Sequence, residues 1–279
     1  MATRPQPGLS RRALLLGGAG AVLLAACGGD DDSAGSTTTT LARGGSTSPD
    51  GSRFSLVQFF GQDVLRTGIS QRAPFGLGDE DGVVTGEVPA SLEFAVTLDG
   101  DEVVAPVAVP SYRDGLPRPY FPLTFTVETP GVYTVSVELE GQRVEAAVQV
   151  SDPGEVAIPQ AGDPMVAIAT PTIDDARGVN PICTREPACP LHAVALDDAL
   201  AEGRPVALLI STPKFCQVSI CGPVLDLLLA QQAAFPDLRM IHAEVFTDET
   251  TATTTEAVSA FGLTFEPCLF LARADGTVA

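Results

Sequence analysis

Pro205-Val206-Ala207-Leu208-Leu209-Ile210-Ser211-Thr212-Pro213-Lys214-Phe215-Cys216 decides how the C-terminal half of this chain is read. Val206 to Ile210 is an unbroken apolar run, the pattern of a strand buried on both faces. Working outward, Leu196 to Glu202 reads as a short helix stopped by Gly203. Downstream, Val224, Leu225, Leu228 and Leu229 recur at helical spacing, which predicts a helix over 224–235. Leu238 to Phe246 reads as a strand, Thr255 to Phe261 as a short helix, and Phe265 to Ala272 as a strand closed by an Asp275-Gly276 turn. Strands alternating with helices predict an α/β layer arrangement.

The stretch ending at Cys216 resembles the thioredoxin family, from its central strand to its first active-site cysteine. Phe215 takes the place of the aromatic that precedes that cysteine. Phe265-Glu266-Pro267, followed by Cys268-Leu269-Phe270-Leu271, resembles the segment that carries the family's cis-proline, and Ala274 to Val278 resembles the hairpin after it. The resemblance spans 165–279. It implies disulfide exchange through a mixed disulfide, with Cys216 as nucleophile, Cys221 as resolving thiol and Pro267 shaping the substrate groove. It implies no dissociable cofactor, and protein thiols or disulfides as partners.

The sequence departs from the family in two places. The usual pair is C-x-x-C, whereas Cys216 and Cys221 are separated by Gln217-Val218-Ser219-Ile220. Residues five apart on a regular helix cannot be bridged, so the intervening residues must loop out and the helix must start near Gly222-Pro223. A cysteine at a helix N-terminus is expected to have a lowered thiol pKa. Ile210 stands where the family often carries a buried acid. A competing register reads Cys221-Gly222-Pro223-Val224 as a C-G-P-C that has lost its second cysteine, with Cys221 as nucleophile. The family also continues past the hairpin with a strand and a helix. Here three residues follow the turn, so a C-terminally incomplete domain, or one covered by a partner, is expected.

Cys183 and Cys189 lie in a proline-rich loop and read as a local structural disulfide. The other reading is a metal loop, because Cys189-Pro190-Leu191-His192 offers ligand types at short spacing. Copper chaperones of the Sco type share the thioredoxin fold, and that resemblance implies Cys216, Cys221 and His192 as the alternative metal set. Soft thiolates with an imidazole suit Cu(I). His242, in an apolar strand pattern, reads as a core histidine. Cys268 reads as packing, with a third thiol beside the proline as the other reading.

Before residue 152 the pattern is different. Leu92, Phe94, Val96 and Leu98 alternate with Glu93, Ala95 and Thr97, and Tyr133, Val135, Val137 and Leu139 with Thr134, Ser136 and Glu138. Asp99-Gly100 and Glu140-Gly141 mark turns. Period-two alternation with frequent turns predicts an all-β, two-layer segment over 53–151, resembling immunoglobulin-like (Ig-like) sandwiches. Its lack of histidine and cysteine makes it a spacer or partner-binding module, with Tyr112, Tyr120 and Phe121 as a candidate surface or sandwich cap. A Pro/Gly linker is expected over 152–164. The chain is therefore expected to be multidomain, an Ig-like sandwich followed by a thioredoxin-like α/β domain.

The N-terminus reads as an export signal. Arg4, Arg11 and Arg12 precede an apolar run too short to span a membrane comfortably, and Leu24-Ala25-Ala26-Cys27 follows. These residues resemble a bacterial lipobox, which implies cleavage before Cys27, lipidation of its thiol, and an outward-facing location on the cell membrane. Ser10 to Leu15 also resembles a twin-arginine signal. Residues 28–52, rich in Asp, Ser, Thr and Gly, read as a tether. The net charge of −19, with Lys214 as the single lysine, disfavours nucleic acid and anionic lipid surfaces as partners. Lipid would then supply the membrane link. Six cysteines in an exported chain point to thiol chemistry or disulfides, and all but Cys27 lie at or after residue 183.

Overall fold

The computed structural model describes residues 53–116, 118–216 and 220–279. The export signal, Cys27, the 28–52 tether and the Gln217-Val218-Ser219 segment lie outside the described residues. The fold is rich in β-structure, and all the described residues belong to one compact unit.

Eight strands come first: β1 (Ser55–Gln58), β2 (Gln71–Asp79), β3 (Gly82–Val83), β4 (Ser91–Leu98), β5 (Asp101–Pro110), β6 (Phe121–Phe125), β7 (Gly131–Leu139) and β8 (Gln142–Val150). One antiparallel sheet runs β1-β2-β3 with β6 also paired to β2, and a second runs β5-β4-β7-β8. The alternation in the sequence sets the inner faces. Leu92, Phe94 and Val96 of β4 and Tyr133, Val135 and Val137 of β7 are buried in one core with Phe75 of β2 and Phe121 of β6. Two tight turns fix the hairpin registers. Asp99 and Gly100 have φ of 53° and 89°, and Glu140 and Gly141 have 51° and 77°. Positive φ at both central residues matches the right-handed twist of the flanking strands. Tyr112 and Tyr120 stack with centroids 5.6 Å apart beside an antiparallel bridge.

The later elements are α1 (Leu196–Ala201), β9 (Val206–Ile210), α2 (Cys221–Ala230), β10 (Arg239–Ala243), α3 (Glu256–Ala260) and β11 (Cys268–Ala272). They build a three-stranded mixed sheet in the order β10-β9-β11. β10 runs parallel to β9 and β11 antiparallel to it. All five residues of β9 are buried because both faces are covered. Val206, Leu208 and Ile210 pack with Leu196 and Ala199 of α1 and with Ala257 of α3. Ala207 and Leu209 point the other way, toward Leu225 and Leu228 of α2 and toward Cys183, Cys189 and Leu191. On β11, Phe270 joins the first core, whereas Leu269 and Leu271 are 48% and 43% exposed.

The stretch read as a linker is packed down. Ile158 is buried in the first of these cores, and Pro164 bridges to Thr277 of the terminal hairpin. Arg66 holds Asp163 with two parallel hydrogen bonds of 3.0 and 2.9 Å. Val64 touches both the eight-strand core and the mixed-sheet core. The early sheets and the mixed sheet therefore meet through side-chain contacts.

Candidate functional site

Two side-chain clusters flank the C-terminal end of β9. The first contains Cys216, Cys221 and Glu266, whose ligand-type atoms lie within 4.8 Å of one another. The chain leaves β9 at Ile210, turns through Pro213, and brings Cys216 to a half-buried position. Cys221 is the first residue of α2 and is fully buried. Its backbone N–H, one of the donors a helix start leaves without an intrahelical partner, donates to the Cys216 Sγ at 3.3 Å. The helix therefore begins one residue before the expected start near Gly222-Pro223. Glu266 precedes Pro267, and the peptide bond between them is cis. Pro267 thus adjoins this cluster.

The expectation that the helix terminus would lower the Cys221 thiol pKa is corrected. Burial pushes that thiol up, and its hydrogen bond with Cys216 and the nearby Glu266 charge add to the effect. A dipole acts over a turn of helix, whereas complete removal from water penalises the thiolate directly. Glu266 itself is pushed up to about 7, first by burial and then by the charge of Glu244. Its Oε2 is buried without a hydrogen-bond partner among the described residues. Sequence reasoning gave Glu266 no role. It noted the missing acid at Ile210, but not that an acid from the proline loop reaches the cysteines. Cys268 lies in the mixed-sheet core, with Sγ 3.5 Å from the Phe265 carbonyl. Burial and the Glu266 charge push it up to about 12. Its surroundings are those of a packing residue.

The second cluster brings together Cys183, Cys189, His192 and His242, all buried, with their ligand atoms within 4.8 Å of one another. Cys189 Sγ lies 3.3 Å from His192 Nε2 and 3.5 Å from His242 Nδ1. Cys183 Sγ lies 3.8 Å from His242 Nδ1, and the two imidazole nitrogens are 3.3 Å apart. The Cys189 N–H donates to Cys183 Sγ at 3.3 Å. His242 sits on β10, on the same strand face as Met240, and its backbone N–H donates to the Leu191 carbonyl at 3.0 Å. This bond ties the cysteine loop to the sheet. The thiol pair shares its proton unequally. Cys183 is held low by a hydrogen bond from Cys189, with further help from the two imidazoles, while Cys189 is pushed up by that hydrogen bond and by burial.

Two assignments change with this geometry. Cys183 and Cys189 are free thiols, so the expected staple between them is not formed. His192 does not join Cys216 and Cys221, because its ring faces the other cysteine pair. His242 was read as a core histidine. It is fully buried, yet it also turns a nitrogen into the cluster. The strand alternation was a signal for its face, but nothing in the sequence said which loop covers that face. No protein-family model matches the chain, and no curated protein matches it.

Proposed function

We propose that this protein is a lipid-anchored, outward-facing thiol–disulfide exchange protein, built from an Ig-like sandwich and a thioredoxin-like domain over 165–279, with Cys216 as the attacking thiol. The observation that carries the reading is the graded pair: a half-buried Cys216 accepts the N–H of a fully buried Cys221 at the start of α2. The proposal covers exported proteins as partners and Pro267 as a wall of their binding groove.

The chemistry needs only these groups. The Cys216 thiolate attacks one sulfur of a substrate disulfide, forming a mixed disulfide and releasing the other substrate sulfur as a thiolate. Cys221 passes its proton to the Glu266 carboxylate and attacks the Cys216 sulfur. The Cys216–Cys221 disulfide forms and the second substrate thiolate leaves. Two electrons have then passed to the substrate, and the reverse sequence oxidises a substrate dithiol. A carboxyl near 7 is matched to that proton transfer at neutral pH.

A second reading, Cu(I) held by Cys216 and Cys221, is supported by the convergence of two soft sulfurs with Glu266. The imidazole that this reading invoked is committed to the other cluster, so exchange is preferred. The test is to mix the reduced protein with oxidised glutathione and map the products. A Cys216–Cys221 disulfide, and a trapped Cys216 adduct in Cys221→Ser, are expected. Undiminished exchange in Cys216→Ser, or a tight one-to-one Cu(I) complex without exchange, overturns the proposal.

A further inference from the structure

We infer that Cys183, Cys189, His192 and His242 form a buried, four-coordinate zinc site that clasps the long loop before α1 onto the mixed sheet.

The distances are those of a tetrahedron around one ion. Zinc bonds of about 2.3 Å to sulfur and about 2.05 Å to nitrogen, at tetrahedral angles, place ligand atoms roughly 3.3 to 3.8 Å apart. The four separations given above are 3.3, 3.5, 3.8 and 3.3 Å. Ordinary packing has no reason to bring four Lewis bases to a common point.

Proton accounting points the same way. The Nε2 of His242 lies 3.1 Å from the Ser211 carbonyl oxygen and 3.0 Å from the Ser211 hydroxyl. A carbonyl only accepts, so Nε2 carries the hydrogen and Nδ1 presents a lone pair to the cluster. A ligating histidine is held in this way, with its second nitrogen donating to a backbone carbonyl. For the Nε2 of His192 to present its lone pair as well, its hydrogen must sit on Nδ1, which is buried without a hydrogen-bond partner among the described residues. Two lone pairs facing each other at 3.3 Å repel unless a cation or a proton lies between them.

Solvation and charge complete the argument. Cys183 and Cys189 are each 6% exposed, His192 is 2% exposed and His242 is fully buried. A thiolate in such a place is costly when uncompensated. Two thiolates, two neutral imidazoles and a dication sum to zero, and binding sends the displaced thiol protons to solvent. Four protein ligands leave no position open for substrate, which is the pattern of a structural site. The fold also needs such a clasp. From Val156 to Ala195 there is no helix and no strand beyond isolated bridges, although this stretch supplies Leu191 and both cysteines to the core against α2. A segment that long without secondary structure is unusual inside a compact unit unless something ties it down.

The test uses the full chain with Cys216 and Cys221 both changed to Ser, so that the exchange pair cannot contribute. It is purified under reducing conditions and titrated with zinc chloride and, separately, cobalt chloride. We expect one zinc per chain, and a cobalt complex with the visible bands of tetrahedral coordination and thiolate charge transfer. Cys189→Ser and Cys183→Ser, added singly, should each weaken zinc binding about 100-fold or more. If those variants do not fold, the cobalt spectrum of the parent chain decides alone. A spectrum without thiolate ligation overturns the site. So does zinc binding that is unchanged in Cys189→Ser, or a Cys183–Cys189 disulfide in protein recovered from an exporting cell.

Discussion

Gly61, in the loop between β1 and β2, lies so close to Phe265 that a Cβ on it would stand 2.7 Å from the Phe265 ring. Phe265 immediately precedes Glu266 and the cis-proline. Gly61→Ala must therefore displace the ring, at a cost of about 1–3 kcal/mol. The same shift should change the rate of disulfide exchange. Denaturant unfolding and an exchange assay on one sample check both. Unchanged stability in the alanine variant contradicts the contact.

Burial distinguishes Cys216 from Cys221. In the reduced protein Cys216 should alkylate at least about 100-fold faster than Cys221, because the thiolate is the reacting form and burial both shields the Cys221 sulfur and pushes its thiol up. Peptide mapping after timed labelling gives both rates. Comparable rates would show that Cys221 is not sheltered beneath Cys216.

The Glu266 carboxyl is raised to about 7 from an ordinary value of 4.5, so the folded state binds this proton more tightly than the unfolded chain does. The stability it contributes is complete below about pH 4.5 and is lost as pH rises through about 7. Glu266→Gln keeps the neutral form throughout. It should match the parent near pH 4 and exceed it by roughly 1–2 kcal/mol above pH 8. The variant should also slow the resolving step at neutral pH. A stability difference independent of pH removes Glu266 from its desolvated position.

Arg66 and Asp163 join the early sheets to the segment before the mixed sheet by a two-pronged ion pair that is partly shielded from water. Burial raises the Asp163 carboxyl, but the Gln160 N–H and Arg66 outweigh it and hold the group below its ordinary range. Its contribution is therefore present at neutral pH and fades as pH falls through the acid range. Arg66→Ala should cost about 1–2 kcal/mol near pH 7 and less near pH 3. It should also broaden or split the thermal transition. Calorimetry at the two pH values checks this, and equal losses at both argue against the ion pair as the cause.

The proposed membrane attachment rests on Cys27. Cys27→Ala should appear in the medium or remain unprocessed, as judged by fractionation and intact mass. A variant that stays membrane-bound at the mature mass removes the lipoprotein reading.

Some of this was legible in the residues alone. β9 was readable because a strand covered on both faces must be apolar throughout, and Val206 to Ile210 is. The hairpins at Asp99-Gly100 and Glu140-Gly141 were readable because few residues tolerate positive φ, and those turns supply them. The helix start after the cysteine pair was also near its true place. Such signals are local, since each depends on residues a few positions apart.

The sequence by itself determined the strand and helix periods, the turn positions and the candidate thiols, because backbone sterics and burial periodicity act over short stretches of chain. Only the tertiary structure decided which thiols meet which partners. His192 and His242 are fifty positions apart, and their meeting depends on how a loop without regular structure lies over β10. Glu266 reaches the cysteines because β11 pairs antiparallel with β9, so that Cys268 stands opposite Ile210 at the end of the strand that leads to Cys216. Cys221 was readable as a helix start but not as a buried one. Its thiol pKa is set by the loss of water around the sulfur, a property of the packed neighbours rather than of the helix that carries it.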